Sequence, residues 1–204
     1  MKPGIVSFMI FWFVNIVLFS GWMDGWLSKL RMKVWLFAVF SLLYFVMLFF
    51  NIQFGQFKIN GGFMIFAIFF LYFGEKILGD HLPATVASAL LISSVYLLFR
   101  MLVRMDPVLL VYDERWMLTG LVTIIGIMIA ANKEQMIWFI GIGILIGEAA
   151  FQWHLKNDVP NSVIGTSFFL DVIWSSLMIG AILKSVLSKI GILTWVKKRV
   201  LKQV

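Results

Sequence analysis

Apolar residues in this chain come in long blocks, separated by short polar punctuation. Seven blocks stand out, at about residues 4–22, 34–52, 61–78, 84–101, 116–131, 136–152 and 162–183. Crossing about 30 Å of hydrocarbon at 1.5 Å rise per residue takes roughly 20 apolar residues, and about 17 can suffice. Each block is therefore a candidate membrane span. The fifth is the shortest, and if it fails to cross, six spans remain. Runs such as 35–50 show no apolar–polar alternation, which excludes a transmembrane barrel. Helices are the alternative, because a lipid-exposed amide must find its hydrogen-bond partner within its own segment. The pattern predicts an all-α polytopic helix bundle.

The connections at 80–83, 132–135 and 157–161 are short, so successive helices are antiparallel neighbours, with Pro83 placed to open the fourth. The first block follows Lys2 and runs into Trp22, Asp24 and Trp26 with no small-residue cleavage site. It reads as a retained span rather than a signal peptide. Beyond residue 183 the character changes. Leu193, Val196, Val200 and Val204 recur at helical spacing among Lys197, Lys198, Arg199 and Lys202. This predicts two regions, a bundle over 1–183 and a basic amphipathic tail over 184–204 that lies on anionic lipid.

Composition agrees with the blocks. The chain has 204 residues, 62% hydrophobic and 13% charged, against about 25% charged in a typical soluble domain. A net charge of +7 could signal nucleic acid. Here the basic residues sit in short loops and the tail, with no soluble domain to form a groove, so lipid and the positive-inside bias account for them. With seven spans, Lys29, Arg31, Lys33, Lys76, Lys133 and the six basic residues after Leu183 share one side. Lys2, Lys58, Arg100, Arg104, Arg115 and Lys156 share the other. Eleven against six places the N-terminus outside a cell membrane and the C-terminus in the cytoplasm.

Charges inside the spans carry the candidate chemistry, since each costs about 2.5–3.5 kcal/mol on insertion scales. Asp171 falls near the middle of the seventh block, with no cation within four residues. It is either a proton- or cation-binding group or an acid bonded to a neighbouring helix. Glu148 and Arg100 fall at similar depth in the sixth and fourth blocks, which predicts an ion pair. Asn15 is an interhelical hydrogen-bond candidate, and Gly143 and Gly147 form a small-xxx-small pair. Trp22, Trp26, Trp116 and Trp195 suit interfacial anchoring.

Enzyme signatures do not emerge. His81 and His154 have no metal-ligand spacing, the glycines form no phosphate loop, and Ser93-Ser94 and Ser175-Ser176 have no His or Lys within a helical turn. Cysteine is absent, so there is no disulfide framework and no thiolate site. The expectation is a non-enzyme without cofactor or metal. The segment 106–116, with its apolar centre bracketed by acids, reads as interfacial or re-entrant.

That segment, the Phe169-Leu170-Asp171-Val172 run and the seven-span size together resemble the YphA-like family of small membrane proteins from Bacillus-type bacteria. The resemblance implies a bacterial plasma-membrane protein and transfers no activity. Two function classes follow: a structural or assembly component that binds other membrane proteins, or a small proton- or cation-linked transporter (or its substrate-binding subunit) using Asp171 and Glu148. The lack of an internal repeat favours the first.

Overall fold

A computed structural model describes residues 3–22, 25, 34–55, 57–78, 82–156 and 162–189. Among them are seven α-helices: α1 Ile5–Phe19, α2 Val34–Met47, α3 Gly61–Leu78, α4 Leu82–Met105, α5 Glu114–Ile129, α6 Lys133–Leu155 and α7 Ser167–Lys189. Each overlaps one predicted block. Stretches of α4, α6 and α7 are long and apolar enough to cross a membrane, while α1, α2 and part of α3 form shorter apolar helices. The tail over 190–204 and most of the predicted turns at 80–83 and 157–161 lie outside the described residues.

The sequence reading missed a three-stranded sheet. β1 Asn51–Phe54 pairs antiparallel with β2 Phe57–Asn60, and β2 pairs in parallel with β3 Val163–Ile164. Gly55, at φ 60°, turns the hairpin; only glycine takes such a φ without steric cost. The second block therefore stops being helical at Met47 rather than at residue 52. Asn60 closes the unit by accepting from Gly62 N at 2.8 Å and donating to Leu48 O at 3.1 Å. β3 takes up the start of the seventh block, so α7 begins at Ser167 and not at 162. Both corrections have one cause, the strand pairing at this end of the bundle, called here the sheet end.

α6 is the hub. It packs against α4, α7, α3 and α5 and buries residues on all sides, Glu148 and Gln152 among them, as a helix surrounded by others should. Gly143 and Gly147 are where α4 comes close: an added Cβ would lie 2.6 Å from Ile92 and 2.8 Å from Tyr96. Around Tyr44 of α2, the rings of Phe11, Phe66 and Trp174 lie 5.2, 5.1 and 5.8 Å away. The Trp174 indole N–H donates to the Tyr44 hydroxyl at 2.8 Å. This aromatic cluster joins α1, α2, α3 and α7. Asn15 joins α1 to α2 more directly, donating to Phe11 O within its own helix and accepting from the Ser41 hydroxyl at 2.5 Å. It is the interhelical contact that the sequence predicts.

At the opposite end, α7 continues past residue 183. Lys184 is 3% exposed and donates to Ile127 O at 3.0 Å and Ala130 O at 2.6 Å. It closes the last carbonyls of α5, the groups a helix C-terminus leaves without intrahelical donors. Lys184 thus belongs to the bundle, where the boundary at 183/184 assigns it to the tail.

Candidate functional site

Two charged clusters occupy the sheet end. In the first, Glu148 of α6 is fully buried. Its Oε2 accepts from the Tyr96 hydroxyl at 2.8 Å and from Arg100 Nη1 at 3.0 Å, and its Oε1 accepts from Gln152 Nε2 at 3.0 Å. Tyr96 and Arg100 stand one turn apart on α4, and Glu148 and Gln152 one turn apart on α6, so two i, i+4 pairs face each other. Arg100 Cζ also lies 4.1 Å from the Phe151 ring centroid and 4.2 Å from that of Phe168, contacts that favour a desolvated cation. Arg100 Nε approaches Glu114 Oε1 at 3.2 Å as an ion pair, without hydrogen-bond alignment. The predicted Arg100 and Glu148 are therefore brought together, and Tyr96, Gln152 and Glu114 join them.

The second cluster centres on Asp171, which stands at the fifth residue of α7 rather than at mid-span. Its Oδ2 accepts from Gly4 N at 2.8 Å and from Arg115 Nη1 at 3.2 Å, and its Oδ1 accepts from Ser7 N at 2.8 Å. Gly4 and Ser7 open α1, and α1 has no side-chain cap of its own. Asp171 thus caps α1 from another helix, with its charge facing the positive end of the α1 dipole. The cation missing from its own sequence neighbourhood is Arg115, supplied by α5. Arg115 is held in turn by Asp113, with Nε to Oδ1 at 2.9 Å and Nη2 to Oδ2 at 2.6 Å. The hydrogen bond from Arg115 lowers the Asp113 carboxyl to about 2.

A cavity of about 170 Å³ lies against this second cluster, lined by Val6, Tyr112, Asp113, Arg115, Trp116, Thr119, Asp171 and Ser175. Thr119, 2% exposed, has a buried hydroxyl with no partner. The preceding segment does not re-enter the bundle. Pro107–Leu109 forms a single 3-10 turn capped by Asp106, and Val108 and Val111 are 87% and 90% exposed.

Glu148 and Asp171 belong to separate clusters with different partners, and Asn15 belongs to neither. The partners could have been sought in the sequence as Tyr96/Arg100 and Glu148/Gln152 at i, i+4. Nothing local pointed to Arg115 or to the capping of α1. No group of three or more His, Cys, Asp or Glu suited to a metal occurs among the described residues.

The model of the family described as YphA-like integral membrane protein matches residues 3–203 of this chain. No curated protein and no solved structure matched it. The chain belongs to the YphA-like integral membrane protein family.

Proposed function

From membership of a family of integral membrane proteins, we infer a structural or partner-binding component of the membrane rather than an ion carrier. One observation carries this reading: each candidate coupling carboxylate is tied by three hydrogen bonds. Glu148 is held by Tyr96, Arg100 and Gln152, and Asp171 by Gly4 N, Ser7 N and Arg115. A coupling acid has to load and release a proton or cation in each cycle. An acid that also caps one helix and pairs with another would loosen the bundle every time it did so. The reading assigns no catalytic reaction.

On this view all seven helices cross a bacterial cell membrane, with the sheet end outside and the basic tail on the cytoplasmic leaflet. Antiparallel succession and the distribution of Lys and Arg support that orientation. A cation- or proton-linked transporter is the second reading, favoured by the buried, unpartnered hydroxyls of Thr119, Thr123 and Ser176 on α5 and α7.

The test is proton and sodium flux into vesicles containing the purified chain, under an imposed potential. The binding role predicts flux equal to that of protein-free vesicles. Flux above that level, lost in Glu148→Gln or Asp171→Asn while the variant still folds, would establish the transporter.

A further inference from the structure

The cavity beside Asp171 holds a buried polar group that folding leaves unsatisfied. A buried hydroxyl without a partner is an uncommon residue of folding, since most such groups find one. Thr119 places one at the cavity wall, beside a second hydroxyl, that of buried Ser175. The volume, about 170 Å³, is well above the roughly 10–15 Å³ that a single water needs. That is room for a short polar arm.

Charge narrows the chemistry. The lining holds two carboxylates, Asp113 and Asp171, and one guanidinium, Arg115, so its net charge is negative. An anion entering here would meet both carboxylates. A cation would meet carboxylate and hydroxyl oxygens, with Trp116 and Tyr112 also in the lining to add cation–π attraction. Trp116 and Tyr112 are also the side chains expected at headgroup level on a membrane protein.

We propose that this cavity binds a primary ammonium group on a short arm, with Asp113, Thr119 and Ser175 as its acceptors and any phosphate that follows lying outside the cavity. The ammonium is that of a phosphatidylethanolamine headgroup or of a free small amine. The proposal rests on the reading of the chain as a binding component and names a partner class for it.

The test uses the full chain and reads its thermal unfolding midpoint. In detergent micelles, ethanolamine, glycerophosphoethanolamine, glycerophosphoglycerol and magnesium chloride are titrated separately. In nanodiscs, phosphatidylglycerol alone is compared with a mixture containing phosphatidylethanolamine. Saturable stabilisation by glycerophosphoethanolamine, and by the ethanolamine lipid in discs, identifies the headgroup. Equal affinity for ethanolamine alone, with no difference between discs, identifies a free amine.

Thr119→Val and Asp113→Asn should each weaken that binding about tenfold, the factor carried by one charge-assisted hydrogen bond. Thr119→Val should leave the ligand-free chain folded, since the hydroxyl it removes has no protein partner. The proposal fails if no amine stabilises the chain, if glycerophosphoglycerol or magnesium chloride stabilises it equally, or if both variants bind as the parent does. The flux measurement is independent of these outcomes, so the two readings fail separately.

Discussion

Removing Arg100 should damage the protein more than neutralising Glu148, although they are partners in one ion pair. In Arg100→Leu, the Glu148 carboxylate stays wholly buried, with Tyr96 and Gln152 as its remaining donors. Stripping one partner from a buried pair costs about 3–5 kcal/mol. In Glu148→Gln, Arg100 keeps Glu114 at 3.2 Å and the two phenyl rings. The loss there is nearer that of one hydrogen bond to a charged group, about 1.5–3 kcal/mol.

The double variant Arg100→Leu/Glu148→Gln leaves no stranded buried charge, and the neutral amide that replaces the carboxylate can still engage Tyr96 and Gln152. It should cost at least about 2 kcal/mol less than the sum of the singles, well beyond the ~0.5 kcal/mol scatter expected of independent sites. Reversible unfolding of the full chain in mixed micelles, run on all four proteins, measures the coupling. Additive losses, or a larger loss for Glu148→Gln than for Arg100→Leu, would refute the assignment of Glu148 as a carboxylate dependent on Arg100.

Three further outcomes follow from the same contacts. Asp171→Ala should cost about 2–3 kcal/mol in the same assay, from a lost helix cap and a lost partner for Arg115; amide exchange at Ser7 should rise with it. Gly143→Ala should destabilise by about 1–3 kcal/mol through overpacking, since its Cβ would sit 2.6 Å from Ile92; a loss under about 0.5 kcal/mol would count against the close approach of α4. Acid should act through Asp113, whose carboxyl lies at about 2, below its ordinary 3.8. Because the folded value is the lower one, the stability it contributes is present above pH 3.8 and lost as pH falls toward 2. Asp113→Asn should flatten that part of the unfolding profile, while an unchanged acid limb would count against the Asp113–Arg115 contact.

The helices were legible because hydropathy is a local property: each block of apolar residues became one helix. Asn15 and the Arg100–Glu148 pair were legible for a related reason. A polar group inside an apolar run must find a partner at similar depth, and depth can be counted along a span. Asp171 lies nearer the start of its helix than the apolar block implies, because the block opens at residue 162 whereas Val163 and Ile164 are apolar in the service of a strand. An apolar dipeptide does not announce which element it serves. The hairpin at 51–60 hid similarly, at the end of a long apolar run. Its alternation and Gly55 are the signals that could have exposed it. Arg115 lies 56 positions from Asp171, and no spacing rule reaches that far. The Thr119 cavity is a property of three helices together, and none of its lining residues is unusual alone.

The most direct test of the binding role is water access to the middle of the bundle. The chain has no cysteine, so Thr123→Cys, Ser176→Cys and Tyr112→Cys each report on one site. Thr123 and Ser176 are buried in the bundle, and Tyr112 is 68% exposed. With a membrane-impermeant thiol reagent on sealed, outside-out vesicles, Tyr112→Cys should label while Thr123→Cys and Ser176→Cys stay protected until the protein is unfolded. Rapid labelling of Thr123→Cys or Ser176→Cys in the folded protein would reveal an aqueous path between α5 and α7, and would contradict the closed, partner-binding bundle.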